Sequence, residues 1–200
     1  MKGMKGYLSA YFKDHRIRIG LAMLVGLIFN ACYTVYNLVL GILYGDVWLV
    51  TVAAYYTLVA ILRYLLFDYG EDVKHTAQLV SKLVLIVSAP LTGMIIYNVI
   101  TSGGRSYPSA TLPIFAAYAL YSIVKAGASL AFSGHSGVSS VASTIRLSVA
   151  LMSLFNLQTS LLSAIGVDGT FATLLNAVTG FGTAISVIAL ALKSGKGNDI

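Results

Sequence analysis

Charge is the first scarcity in this sequence. Only 10% of the 200 residues are Asp, Glu, Lys or Arg, and 58% are hydrophobic. Soluble domains carry about 25% charged residues. A water-soluble fold of this size could not hide so much apolar surface, so the composition points to an integral membrane protein. Cysteine is scarce too. Cys32 stands alone, which excludes an intrachain disulfide and a thiolate metal cluster. Acid is the third shortage. Asp14, Asp46, Asp68, Glu71, Asp72, Asp168 and Asp199 all fall in breaks or tails, and none lies midway along an apolar run. Proton- and metal-coupled carriers generally hold the coupling ion on an intramembrane carboxylate, so metal-coupled transport is not expected. His15, His75 and His135 are scattered over three separate segments, whereas a zinc site needs about four converging ligands. No metal and no cofactor is expected. No nucleophile motif or Gly-rich phosphate loop occurs, "SGGRS" at 102–106 reads as a loop, and an enzyme is not expected.

What is abundant is long apolar sequence. A helix crosses the ~30 Å hydrocarbon core with about 20 residues. Six runs qualify: 17–43, 47–67, 79–101, 109–132, 140–165 and 171–192. The breaks read "YGDV", "DYGEDVKHT", "SGGRSYPS", "SGHSG" and "GVDGT", all rich in turn residues. No run alternates polar and apolar residues as barrel strands do. Residues 17–67 are too long for one span at about 1.5 Å per residue. Gly45 and Asp46 therefore mark a tight turn between two helices, with Trp48 placed as an interfacial aromatic. The fold class expected is all-α integral membrane protein with six transmembrane helices.

The formal charge of +6 comes from base that sits beside these spans. Lys2, Lys5, Lys13, Arg16 and Arg18 precede the first, Lys74 and Lys82 flank the second break, and Lys193 and Lys196 follow the last. Arg105 is alone on the other side. The positive-inside rule then puts both termini in the cytoplasm and makes nucleic acid an unexpected partner. The opening basic region runs to Arg18 and no small-x-small cleavage site follows, so the first span reads as retained rather than as a signal peptide. Residues 1–16 read as a basic interfacial helix, with Met4, Leu8, Tyr11 and Phe12 on one face; the plainer alternative is a disordered basic tail. Residues 193–200 form a cytoplasmic tail.

A short internal repeat is present. "YTVYNLVLG" (33–41) in the first span matches "YALYSIVKA" (118–126) in the fourth. Three spans separate the copies, so they run in opposite directions across the bilayer. That is the 3+3 inverted repeat common in transporters, with halves 17–101 and 109–192 inside a domain of 17–192.

The stretch "NLVLGILYGDVWLVTVAAYY" resembles the first hairpin of cation-diffusion-facilitator transporters: a glycine late in the first span, a tight turn, and an alanine-rich second span. The resemblance covers about 30 residues and implies six spans, cytoplasmic termini and a three-plus-three pseudo-repeat. The family's metal pair in spans two and five is missing, since "LVTVAAYYTLVAIL" and "SVASTIRLSVALMSLFNLQTSLL" hold no acid or histidine, and its cytoplasmic metal-binding domain has no counterpart. "WLVTVAAYYTLVAILRYLLF" and "LSVALMSLFNLQTSLLSA" are similar to an uncharacterised family of small six-span bacterial membrane proteins. That likeness implies the bacterial inner membrane and no known activity.

Chemistry has few places to sit. Arg63, Lys125 and Arg146 lie inside spans, where a charge costs about 2.5–3.5 kcal/mol at the helix centre on insertion scales. They either snorkel to the headgroups or form an inward patch that attracts an anion. Asn30, Tyr33 and Asn37 share one stripe of the first span. Tyr55, Ser122, Asn156, Gln158 and Asn176 add uncharged polar groups in spans two, four, five and six. Buried amides in hydrocarbon must find partners. They either bond helix to helix or line a mid-plane cavity for a small solute. Pro90 and Pro113 can bend their helices, and Gly180 and Gly182, with Ala177 and Ala184, offer a small-residue face for a second protomer. Two functions follow: a transporter-like protein handling a small solute or anion, dimeric in the bilayer, or a non-transporting scaffold, partner subunit or lipid-interacting protein.

Overall fold

The computed structural model describes residues 15–68, 82–83, 88, 92–93, 95–96, 111–132, 137–167 and 169–196. Five long helices are described: α1 (His15–Tyr44), α2 (Val47–Asp68), α3 (Thr111–Phe132), α4 (Gly137–Ile165) and α5 (Gly169–Lys196). Among the described residues there is no strand. Each helix contains an apolar stretch long enough to cross a membrane: Leu24–Tyr44, Val47–Leu65, Thr111–Ala131, Ala142–Ile165 and Gly169–Leu192. These fit a multi-pass membrane protein. Large apolar side chains such as Ile28, Ile42, Leu43, Leu120, Leu174 and Ile185 point outward, as contact with a bilayer requires. The expected third span, 79–101, and the expected helix over 1–16 lie almost wholly outside the described residues. Seven positions of the third are described, and all are helical.

Two turns are built by the same device. At the end of α1, Gly45 takes φ 62°. Its N–H donates to the Ile42 carbonyl (3.4 Å), and the Asp46 N–H donates to the Gly41 carbonyl (2.9 Å). This is a Schellman motif, which uses a left-handed residue to satisfy the last carbonyls of the helix. Asp46 then caps α2, its Oδ1 accepting from the Trp48 N–H at 2.9 Å. At the end of α4, Gly166 (φ 68°) repeats the arrangement through Ser163 and Leu162. A left-handed residue without a Cβ is what permits such abrupt reversals. Gly41 makes the first hairpin tight: a Cβ there would sit 2.7 Å from Val50 Cγ2 and 2.9 Å from the Val50 backbone nitrogen.

α1 packs on α2, α3 on α4, and α4 on both α5 and α2. Contacts fix the directions. Asn30 meets Tyr56 and Gly26 meets Arg63, so α1 and α2 are antiparallel. Tyr36 meets Thr111 while Asn30 meets Tyr118, so α1 and α3 are antiparallel too. α2 and α3 therefore run the same way. Gly180 of α5 is filled from within the chain: a Cβ there would lie 2.5 Å from Ile95 Cγ2 and 3.0 Å from Phe155 Cζ. Ala184 is buried as well, whereas Gly182 is open. Part of the small-residue face thus serves intrachain packing.

Two local expectations change. Pro113 lies in the first turn of α3, where a missing N–H removes no helical bond. Trp48 is turned inward, with 1% of its surface exposed, rather than lying at the interface. Pro90 is outside the described residues.

Gly41→Ala will force α1 and α2 apart, because the obstacle is backbone. It should destabilise the protein by about 1–3 kcal/mol. Gly127→Ala, where nothing lies within 4 Å, should be close to neutral. Thermal unfolding of both variants in detergent checks the contrast.

Candidate functional site

The candidate residues separate into three places. The first is the middle of the bundle. Tyr33 of α1 stacks face to face on Tyr118 of α3, with centroids 3.7 Å apart and planes 2° from parallel. Tyr56 of α2 meets both edge-on, at 5.0 and 5.4 Å. Phe115 closes on Tyr33 from α3, and Tyr55 lies against Tyr56. Amides tie the rings to the helices. Asn30 Nδ2 donates to the Tyr56 carbonyl (3.0 Å), and Asn30 Oδ1 accepts from the Tyr118 hydroxyl. Asn156 of α4 donates from Nδ2 to the Tyr33 hydroxyl (2.8 Å), and its Oδ1 accepts from Trp48 Nε1 (2.9 Å). Asn30, Tyr33 and Asn156 are thus partnered by one another's helices, and the rings fill the space between. Asn37 differs. Its Nδ2 returns to the Tyr33 carbonyl of its own helix (2.8 Å), and its Oδ1 is buried without a partner. The Tyr56 hydroxyl and Thr34 Oγ1 are also buried and unpartnered.

The second place is the end of the bundle where Gly26 and Arg63 come together. A cleft of about 50 Å³ is lined there by Gly26, Arg63, Tyr121, Ser122, Lys125 and Arg146, and it extends to Tyr118. One water needs about 10–15 Å³ by the same kind of measure, so the cleft holds several water-sized bodies. The three cations come from α2, α3 and α4. Each is half-buried and each is positioned. Arg63 Nη1 donates to the Gly26 carbonyl across to α1 (3.1 Å). Arg146 Nη1 donates to Ser129 Oγ (2.8 Å), which also meets Ser143 Oγ (2.8 Å). Lys125 Nζ lies 5.6 Å from the centre of the Tyr121 ring, in cation–π range. Among the described residues no carboxylate lines the cleft. The hydroxyls of Ser122 and Tyr121 are buried there without hydrogen-bond partners of ordinary geometry.

The third place is the contact between α4 and α5. Gln158 Nε2 donates to Thr179 Oγ1 (2.7 Å) and reaches Asn176 Oδ1 (3.4 Å). Both lie away from the cleft, beside a shallow open groove between Leu154, Leu161 and Gly182.

The sequence marked Arg63, Lys125 and Arg146 together, either as snorkelling cations or as one inward patch, and the structure brings all three to one opening. Sequence reasoning missed Tyr56, Tyr118, Tyr121 and Trp48 as members of these clusters. Tyr118 and Tyr121 carried a signal, as the tyrosines of the second repeat copy. Tyr56 carried none, because an aromatic in an apolar run is ordinary core.

The two amides make opposite predictions. Asn156→Leu strands the Trp48 indole and the Tyr33 hydroxyl, and should lower stability by roughly 1 kcal/mol, since interhelical bonds in membranes average about 0.6 kcal/mol each. Asn37→Leu removes an unpartnered buried oxygen and should be neutral or mildly stabilising. Trp48 is the only tryptophan, so its emission can follow thermal unfolding of both.

No family model, no curated protein and no solved structure matches the chain.

Proposed function

We propose that the protein is a six-span, transporter-like protein of the bacterial inner membrane, handling a small anion through the cationic cleft without metal coupling. The observation that carries this reading is the convergence of Arg63, Lys125 and Arg146 on one opening. Snorkelling cations separate, each toward its own headgroups. These three line one half-buried opening, each held there by a bond or ring contact. An anion is what relieves such an arrangement.

The topology supports the six-span reading. α2 and α3 run in the same direction, so residues 69–110 have to return from one end of the bundle to the other. A span over 79–101 would do so, and the described Ile95, buried against Gly180 of α5, is consistent with one. Contacts between α1 and α3 support the inverted repeat. Aligning "YTVYN" with "YALYS" pairs Tyr33 with Tyr118, Tyr36 with Tyr121, Gly26 with Thr111 and Asn30 with Phe115. About a two-fold axis, a contact of one residue with another reappears with the roles exchanged. Tyr36 meets Thr111, and Tyr121 lies over Gly26. Tyr33 meets Phe115, and Tyr118 meets Asn30. Tyr33 and Tyr118 meet each other, as equivalent residues on the axis do.

In this reading the cleft faces the cytoplasm with both termini, as the lysine and arginine distribution requires. The ring cluster of Tyr33, Tyr56 and Tyr118 is the closed barrier toward the other side. Rocking one half against the other would open it. A dimer in the bilayer remains part of the proposal, with Gly182 on the open part of the α5 surface.

One observation favours the second reading, a non-transporting scaffold or lipid-interacting protein: Asn30 and Asn156 are spent on the rings and backbone of neighbouring helices rather than turned into a cavity. Cysteine labelling separates the two. In a Cys32→Ser background, Ser122→Cys should react with a membrane-impermeant reagent from the cytoplasmic side alone, and Asn30→Cys from neither side at rest. Reconstituted protein should take up anions into vesicles, and the Lys125→Gln/Arg146→Gln double variant should not. An accessible Ser122→Cys without uptake of any anion would leave the scaffold reading in place.

A further inference from the structure

We infer that the cleft takes a doubly charged tetrahedral oxyanion, of which a phosphate group is the common form, rather than a halide or a carboxylate. The inference rests on the anion reading above and specifies its ligand.

Charge is the first argument. Three cations border the cleft and, among the described residues, no acid does. A monovalent anion leaves a double excess of positive charge in a half-buried site. A dianion leaves one, and part of that is met by the cation–π contact of Lys125 with Tyr121.

Geometry is the second. Arg63 and Arg146 enter from different hairpins, and each commits one nitrogen, Nη1, to a positioning bond on Gly26 or Ser129. Their other N–H groups remain for a ligand. A guanidinium fork matches two oxygens of a carboxylate or phosphate. One planar carboxylate can saturate one fork. A tetrahedral anion has oxygens for two forks approaching from α2 and α4, for the ammonium of Lys125, and for a hydroxyl. The Ser122 hydroxyl is the hydroxyl available. It is buried, with 3% of the residue exposed, it lines the cleft, and its contact with the Tyr118 phenol one turn back falls short of hydrogen-bond geometry. An oxyanion oxygen would give it a stronger, charge-assisted partner.

Size is the third. About 50 Å³ accommodates a five-atom oxyanion. A free oxyanion and the phosphate of a lipid headgroup share this chemistry, because the cleft lies at the end of the bundle where headgroups lie.

The test uses the full chain in neutral detergent, with thermal unfolding followed by Trp48 emission at constant ionic strength and pH 8. Inorganic phosphate and sulfate should raise the midpoint in a saturable way, while chloride and acetate should not. Ser122→Ala, which removes no charge, should weaken the phosphate effect about tenfold or more, as loss of one hydrogen bond to a charged group does. Arg146→Lys, which keeps the charge and loses the fork, should weaken it further. Protection by nanodiscs containing phosphatidic acid, compared with phosphatidylcholine alone and without any effect of inorganic phosphate, supports the inference with a lipid as the source. Chloride or acetate protecting as well as phosphate overturns the oxyanion assignment and leaves the anion cleft standing. Failure of every anion and of phosphatidic acid, with Ser122→Ala and Arg146→Lys indistinguishable from the native chain, overturns both.

Discussion

The stack of Tyr33 on Tyr118 is the contact on which the rest of the described bundle depends. Between membrane helices the hydrophobic effect supplies no attraction, because lipid tails are as apolar as leucine. What remains is close packing and hydrogen bonding. The aromatic cluster supplies both at one crossing, since aromatic pairs contribute about 0.5–1.5 kcal/mol each beyond buried area. The tyrosine hydroxyls also need partners in a dry interior. Asn30 and Asn156 answer that need for Tyr118 and Tyr33, though not for Tyr56, and in doing so fasten α1 to α2 and α3 and fasten α4 to α1 and α2. The amides set which helix meets which residue, while the rings set how closely the helices approach.

Filling the middle with rings has a consequence at the end of the bundle. Past Tyr118 the packing changes from aromatic to small and polar, with Gly26, Ser122 and Ala142 facing the space. The cations can enter there because the site is within reach of water and headgroups, where a charge costs far less than at the bilayer centre. Their positioning bonds all end on neighbouring helices or on a ring, never on a described acid. The same three charges spread around the perimeter would need no such positioning. The bonds hold like charges around one opening, and the anion proposed for the cleft is a ligand that would offset them.

Much of the scaffold was legible in the sequence. The hairpin at "YGDV" and the reversal at "IGV" follow from glycine and the need to satisfy helix-terminal carbonyls, a purely local requirement. The likeness of "NLVLGILYGD" to a cation-efflux hairpin draws on the same residues. Gly41 and Gly45 are used here for close approach and a left-handed turn, which any tight antiparallel hairpin needs. The pairing of polar groups was legible only in kind. That Asn30 and Asn156 had to find partners followed from the bilayer. That they would find tyrosines on other helices depended on helix rotation, which an apolar sequence records weakly because lipid-facing and core-facing positions hold the same residue types. Trp48 shows the same limit: its place at a helix start suited an interfacial anchor, yet the rotation of α2 turned its indole onto Asn156.

The proposed repeat is symmetric in its packing and asymmetric in its chemistry, and the asymmetry is what gives the two ends different roles. Tyr36 and Tyr121 occupy equivalent places, but Tyr36 closes on Thr111 through its hydroxyl, whereas Tyr121 lies over Gly26, which has no side chain to close with. Asn37 stands where Ser122 stands in the other half, and Leu40 stands where Lys125 stands. Among the described residues a cationic opening therefore forms at one end only. The equivalent region at the other end keeps buried polar atoms, Asn37 Oδ1 and Thr34 Oγ1, but gains no charge from Leu40. An anion crossing such a molecule would leave a site of high positive potential for one of hydrogen-bonding groups alone. Under the proposed transport reading, that difference would favour capture on the side of Arg63, Lys125 and Arg146 and release on the other, with no carboxylate among the described residues of either site.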